Sequence, residues 1–162
     1  MSLEGMLLRK VLIDDRDDIY QWRNDEVTRK NSFNGELISY EEHCRWFKEA
    51  LEDSQKILFV GVDEDDEKCG IIRFDSVNDF ASEIHVNIAP EKRGRGIGAT
   101  LIEESCKLFF TETRLKLVYA RIIEQNKASI KVFLKTGFRE MFRCIEEVSG
   151  SKIIVMALVN FN

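Results

Sequence analysis

The chain has 162 residues, of which 44% are hydrophobic and 33% charged, and its formal net charge is −5. This length and composition are typical of one soluble globular domain. An acidic chain lacks the basic surface that nucleic-acid binding requires, so we expect no nucleic-acid partner. No apolar run approaches the roughly 18 residues that span a bilayer, so we expect no membrane association.

The first five residues, MSLEG, resemble the remnant of an expression tag, so we expect a single domain over residues 6–162. Four cysteines are spread along the chain without a CxxC pair, at Cys44, Cys69, Cys106 and Cys144. We expect these thiols to be reduced and mostly buried, as in a cytoplasmic protein. The two histidines lie far apart and form no HExxH motif, so we expect no metal site.

The first third of the chain predicts one strand followed by two helices. Residues 7–13 form a short apolar run that ends in two aspartates, a pattern typical of a strand followed by a helix start. Residues 15–23 predict a short helix, and residues 24–37 predict a polar, irregular segment. Ser39 and Glu42 then form a capping box before apolar residues at helical spacing, which predicts the second helix.

The rest of the chain predicts six strands and two helices. Apolar runs at 57–62 and 69–74 indicate a hairpin around an acidic turn, and the alternation over 83–89 indicates a half-buried strand. The later segments are a helix over 98–110, a strand over 117–123, a helix over 126–136 and a hairpin of 138–148 with 152–161. The element order predicts one α/β domain with a mixed sheet.

The most informative segment is RGRGIGA, residues 93–99, between a predicted strand and a predicted helix. Glycines let several backbone N–H groups turn toward one point, and a helix start adds the positive end of its dipole. Such a cradle binds an anion, and its natural ligand is a pyrophosphate. Lys92, Arg93 and Arg95 are expected to add positive charge at the rim.

Other interpretations of this segment are a plain surface turn or a dinucleotide-binding loop. Gly94, Gly96 and Ala99 fit the spacing G-x-G-x-x-G/A, but that spacing alone is a weak signal. The dinucleotide fingerprint follows its strand tightly, and an acidic residue ends the next strand. Here residues 90–93 intervene, and the next predicted strand ends in Ile123. A Walker loop is excluded because no Gly-Lys-Ser/Thr occurs.

Arg93-x-x-Gly96-x-Gly98 resembles the acetyl-CoA pyrophosphate loop of the GNAT N-acetyltransferases. A second segment, NKASIKVFLKTGF at 126–138, is similar to the family's signature of Asn, a helix and Gly-Phe. With the strand before the loop, the resemblance is strong over residues 82–140. It implies an α/β (α+β) fold, with a mixed, mostly antiparallel sheet of about seven strands flanked by about four helices. It also implies acetyl-CoA as co-substrate.

The resemblance assigns residues to the cofactor. The backbone of 86–89 would pair with the pantetheine arm like an added strand, and N–H groups of 93–99 would hold the pyrophosphate. Asn126 would hydrogen-bond the cofactor near its thioester, and Asn is also a common helix cap. The implied cofactor-binding residues are Val86, Asn87, Ile88, Ala89, Arg93, Gly94, Arg95, Gly96, Ile97, Gly98, Ala99, Asn126 and Phe133.

Acetyl transfer by direct attack in a ternary complex needs a base for the amine and a proton for the leaving thiolate. Glu83 stands at a position resembling the family's base glutamate, and His85 lies two residues later on the same strand face. The family commonly has Tyr seven residues after the signature Asn to protonate the thiolate, but Phe133 has no proton to give. Tyr119 or water would then serve, or the chain would be a non-catalytic acyl-CoA-binding domain.

The acceptor side carries a further resemblance. Trp22-Arg23-Asn24 and SYEEHCRW at 39–46 resemble a sub-branch that includes amino-sugar N-acetyltransferases of pseudaminic-acid-type pathways and, more loosely, Rim-type acetyltransferases of ribosomal protein N-termini. The implied acceptor is a small-molecule amine, first a nucleotide-linked amino sugar, with a protein N-terminus or another small amine as the alternative. The expected acceptor contacts are Arg23, Asn24 and Arg29. The closing hairpin offers a surface for a homodimer.

Overall fold

The computed structural model describes residues 5–160, which form a seven-stranded sheet of order β1-β2-β3-β4-β5-β7-β6. The strands are β1 (Leu7–Lys10), β2 (Lys56–Val62), β3 (Lys68–Ser76), β4 (Ala81–Ile88), β5 (Leu117–Ile123), β6 (Arg139–Ile145) and β7 (Lys152–Val159). Only β4 and β5 run parallel, and every other neighbouring pair is antiparallel. The expected mixed, mostly antiparallel sheet is confirmed. The predicted end of the last strand at Phe161 and the first four residues of MSLEG lie outside the described residues.

Within the described residues five α-helices accompany this sheet: α1 (Arg16–Asn24), α2 (Glu26–Lys30), α3 (Tyr40–Glu52), α4 (Ile97–Glu112) and α5 (Lys127–Lys135). The prediction that residues 24–37 are irregular is wrong over α2, because the Asp25 side chain accepts a hydrogen bond from the Thr28 N–H at 3.0 Å and caps a short helix. β1 ends at Lys10, three residues earlier than predicted, and residues 13–15 form a 3-10 turn. The capping box of Ser39 and Glu42 at the start of α3 is confirmed.

Two apolar layers cover the two faces of the sheet. On one face α4 packs through Leu101 and Phe109, and the Phe109 ring stacks on Phe74 of β3 at 4.2 Å. On the other face α1 and α3 pack through Trp22 and Phe47. His43, on the same helix as Phe47, is 1% exposed, and its ring lies 5.8 Å from the Phe47 ring. Within residues 5–160, no helix has the length and apolar character that crossing a bilayer requires.

The sheet opens between β4 and β5. Their pairing covers only Ala81–Glu83 against residues 117–119, while β5 stays paired with β7 as far as Ile123. The Ala89 N–H donates to the Cys69 carbonyl, so the alternation of an antiparallel ladder turns the backbone groups of Val86 toward β5 rather than toward β3. The two strands therefore leave a gap with unpaired backbone on its β4 side.

The cysteines differ from one another in burial. Cys69 and Cys106 are buried, and Cys44 is half-buried, as the sequence predicts. Cys144 is exposed, which is the exception to the expectation of mostly buried thiols. The reason is the position of β6, an edge strand whose residues are all exposed.

Candidate active site

A cavity of about 510 Å³ lies at the gap between β4 and β5. Its walls include Trp46 of α3 from one face of the sheet and Ile84 of β4 with Phe133 of α5 from the other, so the cavity passes through the sheet. The predicted site residues that line it are Arg23, His85, Val86, Asn87, Asn126 and Phe133. A passage of this form can receive two molecules from opposite faces.

The glycine-rich loop has the geometry of an anion cradle. Gly94 and Gly96 have φ angles of 73° and 81°, which only glycine adopts readily. Gly96 is the N-cap of α4, so the N–H groups of Ile97 and Gly98 belong to the first turn and have no intrahelical acceptor. These donors and the helix dipole fit the pyrophosphate of a coenzyme.

The charges around this loop differ from the prediction. Lys92 is 6% exposed, and its Nζ binds Asp63 at 2.7 Å and Glu67 of the turn between β2 and β3. The hydrogen bonds that Lys92 donates to these two carboxylates raise its pKa. Placing Lys92 at the rim was wrong, because the acidic turn folds over it and anchors the start of the loop. The Arg93 side chain points to α2, and Arg95 is exposed.

A cluster of charged residues lies on one face of β3, β4 and β5. Glu83 is 8% exposed, and its Oε1 accepts a hydrogen bond from Arg121 Nε at 2.8 Å. His85 Nε2 lies 3.1 Å from Asp75 Oδ2 and 3.9 Å from Glu83 Oε1. Arg73 also holds Asp75, at 3.0 Å. Both candidate bases are therefore partnered, Glu83 by a cation and His85 by a carboxylate.

Asp75 orients His85. Burial opposes the ionisation of Asp75, but the hydrogen bond from His85 and the charge of Arg73 lower its pKa to about 2. A carboxylate can only accept, so His85 Nε2 donates and Nδ1 is the unprotonated nitrogen of the neutral ring. His85 lines the cavity, whereas Glu83 does not. A histidine whose ring is oriented by a carboxylate has the arrangement of a general base.

The two aromatic residues considered for thiolate protonation are placed differently. Phe133 is 3% exposed, lines the cavity and meets Phe138 edge-to-face at 4.8 Å. Tyr119 does not line the cavity. Burial and the charge of Glu83 raise the pKa of Tyr119. The proton-donor role of Tyr119 stays a prediction.

Asn126 caps a helix, as the sequence suggests, and its hydrogen bond to the cofactor stays a prediction. Its Oδ1 accepts a hydrogen bond from the Ser129 N–H at 3.1 Å and caps α5. The same residue lines the cavity, as does Ser129. Because Oδ1 serves the helix, the side-chain amide nitrogen is the group available to a ligand.

Of the three expected acceptor contacts, one lines the cavity. Arg23 does so, and one of its terminal nitrogens donates to the Asn34 carbonyl at 2.8 Å. Burial and the nearby charge of Arg29 lower the pKa of Arg23. The Asn24 amide instead forms two hydrogen bonds with the backbone of Ile38, at 2.9 and 3.0 Å.

Arg29 also serves the fold of the acceptor side. Its guanidinium donates to the carbonyls of Asn24, at 3.2 Å, and Gly35, at 3.0 Å. Neither Arg29 nor Asn24 lines the cavity. Both side chains hold the segment 31–38 in place, and this segment brings Phe33 and Ile38 into the cavity wall.

Three members of the charged cluster were not predicted from the sequence, namely Arg73, Asp75 and Arg121. The strand register sets Arg73 beside His85 and Asp75 beside Glu83. The alternation of residues along each strand can be predicted from the sequence. The pairing of one strand with the next cannot. Among residues 5–160, no group of three or more His, Cys, Asp or Glu side chains could hold a metal ion.

Comparison with known proteins agrees with this geometry. The model of the acetyltransferase (GNAT) domain family matches residues 6–139. The acetyltransferase PseH of Campylobacter jejuni strain 81-176 is 27% identical over 121 residues, 74% of this chain and 74% of that protein. The spermidine N(1)-acetyltransferase of Vibrio cholerae is 25% identical over 111 residues, 67% of this chain and 64% of that protein.

The crystal structure of spermidine N-acetyltransferase from Vibrio cholerae in complex with CoA and spermine has a TM-score of 0.88 to this chain. It is 22% identical, and the match covers 96% of each chain, so the likeness establishes the fold. The family match covers most of the sequence and contains the glycine-rich loop, the gap between β4 and β5 and the residues of the charged cluster. The chain therefore belongs to the GNAT acetyltransferase family, as an N-acetyltransferase that uses acetyl-CoA as co-substrate.

Proposed function

We propose that this chain acetylates the amine of a nucleotide-linked amino sugar by direct attack in a ternary complex. The charge of the cavity wall carries this proposal. Three arginines line the cavity, against one glutamate, Glu42, and two of them are paired with carboxylates: Arg73 with Asp75 and Arg121 with Glu83. Among the described residues Arg23 has no carboxylate partner, and its buried Nη1 has no hydrogen-bond partner, so its charge is the one left for an anionic acceptor. The planar guanidinium group of arginine can donate two parallel N–H bonds to paired phosphate oxygens of a diphosphate.

The same charge disfavours a polyamine acceptor. A relative that acetylates spermidine makes polyamines a natural candidate. A polycation requires carboxylates along its path, and Glu42 already accepts hydrogen bonds from the backbone N–H and hydroxyl of Ser39, at 2.9 Å each. Spermidine is therefore the second candidate, and a protein N-terminus remains a third because of the resemblance to Rim-type enzymes.

Acetyl-CoA would occupy the α4 side of the cavity. The first-turn N–H groups at Ile97 and Gly98 would hold its pyrophosphate, and the unpaired backbone of Val86 would pair with its pantetheine arm. The Asn126 amide and the Phe133 ring lie along the same side. When bound, acetyl-CoA supplies the thioester carbonyl carbon that the amine attacks.

His85 is the base in this proposal. Asp75 orients the ring, so Nδ1 takes the proton of the acceptor amine, directly or through one water. Glu83 is paired with Arg121 and does not line the cavity, so its role is to balance the charge of Arg121 rather than to accept the proton. Phe133 offers no proton and Tyr119 does not line the cavity, so water protonates the leaving thiolate.

A thiol-release assay with acetyl-CoA tests the acceptor. The panel contains a UDP-linked amino sugar, the same sugar without its nucleotide, spermidine and a peptide with a free N-terminus. We expect the highest kcat/KM for the UDP-linked sugar and a loss of at least about tenfold without the nucleotide, the worth of one charge-assisted hydrogen bond. A higher kcat/KM for spermidine or the peptide would overturn the proposal.

The proposal extends to location and assembly. The cysteines Cys69 and Cys106 are buried free thiols, which fits the cytoplasm. The edge strand β6 exposes Met141, Phe142 and Ile145, at 60%, 57% and 65% of their surfaces, and an apolar edge strand is a natural surface for a homodimer. Light scattering of the purified chain would measure the subunit number.

A further inference from the structure

The Arg93 side chain connects the two halves of the active site. Arg93 opens the glycine-rich loop, yet its guanidinium crosses to α2 on the acceptor side. One terminal nitrogen binds Asp25 Oδ2 at 2.7 Å, and the other binds Thr28 Oγ1 at 2.8 Å. Arg93 Nε also donates to the Ile88 carbonyl at 3.3 Å. All three guanidinium nitrogens of Arg93 thus bind protein groups, so the side chain is not free to bind the pyrophosphate.

The network continues from α2 to the strand that lines the gap. The Thr28 hydroxyl donates to Asn87 Oδ1 at 3.1 Å, and the Thr28 N–H donates to Asp25. Although burial opposes its ionisation, hydrogen bonds from Arg93 and the Thr28 N–H keep the pKa of Asp25 below its usual value. Asp25 therefore serves two groups at once, the start of α2 and the guanidinium of the loop.

Helix α2 carries part of the acceptor wall. Thr28 lines the cavity, and so do Asn31, Ser32 and Phe33, which directly follow the helix. A five-residue helix has little stability of its own, so its position depends on what holds it. No residue of α2 is buried, which leaves the polar network as its main attachment to β4 and the loop.

We infer that Arg93 is a positioning residue, whose side chain fixes the acceptor wall on α2 to the cofactor loop while the loop's backbone is left to bind the pyrophosphate. The inference rests on the proposed function in one respect, that residues 28–33 contact the acceptor. According to this inference, the Arg93 side chain affects the affinity for the acceptor and does not affect the affinity for acetyl-CoA.

Three variants and one control test the inference. Arg93→Gln removes the guanidinium, and Asp25→Asn removes the charge while keeping a side chain that caps helices well. Arg93→Lys keeps the charge but loses the fork that reaches both Asp25 and Thr28. Arg95→Gln is the matched control, since Arg95 is an exposed cation of the same loop.

The first readout is amide hydrogen exchange of residues 26–33 in the free protein, and the second is acetyl-CoA affinity by calorimetry. We expect Arg93→Gln and Asp25→Asn each to speed exchange by about fivefold or more, with the double variant no worse than either single one. The acetyl-CoA Kd should stay within about threefold of wild type. Arg95→Gln should weaken acetyl-CoA binding and leave the exchange unchanged.

The third readout is the KM for whichever amine the thiol-release panel identifies. We expect Arg93→Gln to raise it about tenfold with acetyl-CoA KM unchanged, and Arg93→Lys to recover part of the loss. Unchanged exchange together with weakened acetyl-CoA binding in Arg93→Gln would overturn the inference, because the side chain would then serve the cofactor. If the panel rejects the amino sugar, the proposed acceptor fails, but the exchange and calorimetry still decide the role of Arg93.

Discussion

The proposed cofactor side and the proposed acceptor side of the active site differ in whether backbone or side-chain groups form them. The cofactor side consists of backbone: the glycine loop at 93–99, the first turn of α4 and the unpaired edge of β4. The acceptor side consists of side chains from α1, α2, α3 and the segment 31–38. Backbone donors can be altered only by changing the fold of the chain, whereas side chains can be exchanged singly. The difference explains how one fold can keep a cofactor and change its acceptor.

His85 lies between the two sides, and its substitution should have the largest effect. We expect His85→Ala to lower kcat by about 10²–10⁴-fold, the range for a lost general base. Glu83→Gln should lower kcat less, because Glu83 is paired with Arg121 and lies outside the cavity wall. Steady-state kinetics of both variants across pH would show the comparison, and a larger loss in Glu83→Gln would assign the base to Glu83.

A substitution on the cofactor side should abolish tight coenzyme binding. Gly96→Glu places a side chain at φ 81° and a negative charge beside the pyrophosphate cradle, so we expect acetyl-CoA affinity to fall by about 100-fold. Gly150→Ala is the matched control, because Gly150 also has a positive φ, 68°, in a turn far from the loop. Calorimetry measures both, and normal affinity in Gly96→Glu would show that the loop does not hold the pyrophosphate.

Acid should destabilise the packing of the 3-10 turn before α1 against β1 and β3, because charge pairs of Asp15 hold it there. Asp15 is 1% exposed; burial opposes its ionisation, but hydrogen bonds from Arg9, the Leu12 N–H and Lys68 lower its pKa to about 2. A folded pKa below the ordinary value of 3.8 contributes stability that is present above about pH 4 and lost as pH falls toward 2. The contribution is at most about 2 kcal/mol. Urea unfolding at pH 7, 4 and 3 should show this loss in wild type, and Asp15→Asn should reduce its pH dependence.

The smallest expected effects are those of substituting Arg23 and Arg29, which should differ in kind. Arg23→Gln should raise the KM for a nucleotide-linked sugar by about tenfold and leave acetyl-CoA KM unchanged, because Arg23 lines the cavity. Arg29→Gln should instead lower the midpoint of thermal unfolding, since Arg29 binds two backbone carbonyls of the acceptor side. An unchanged KM in Arg23→Gln would remove the diphosphate contact from the proposal.

Local patterns predicted most of the elements, because each depended on neighbours in the chain. The capping box of α3, the alternation along β4 and the positive-φ glycines of the loop are all visible within a few residues of sequence. The exception was α2, where one Asp25 cap and a few polar residues gave too weak a signal to distinguish a short helix from a loop. Family resemblance then placed acetyl-CoA on these elements.

Local spacing in the sequence was sufficient to predict the order of the elements apart from α2, the glycine-rich loop and the strand that carries both candidate bases. Which charges meet depended on strand pairing. Asp75 reaches His85, and Arg121 reaches Glu83, through strand register and strand pairing across the sheet. The acidic turn between β2 and β3, far from Lys92 in sequence, binds its ammonium group and keeps it from the rim of the loop. Such pairings depend on contacts between residues far apart in the chain, and side-chain spacing along a single strand does not specify them.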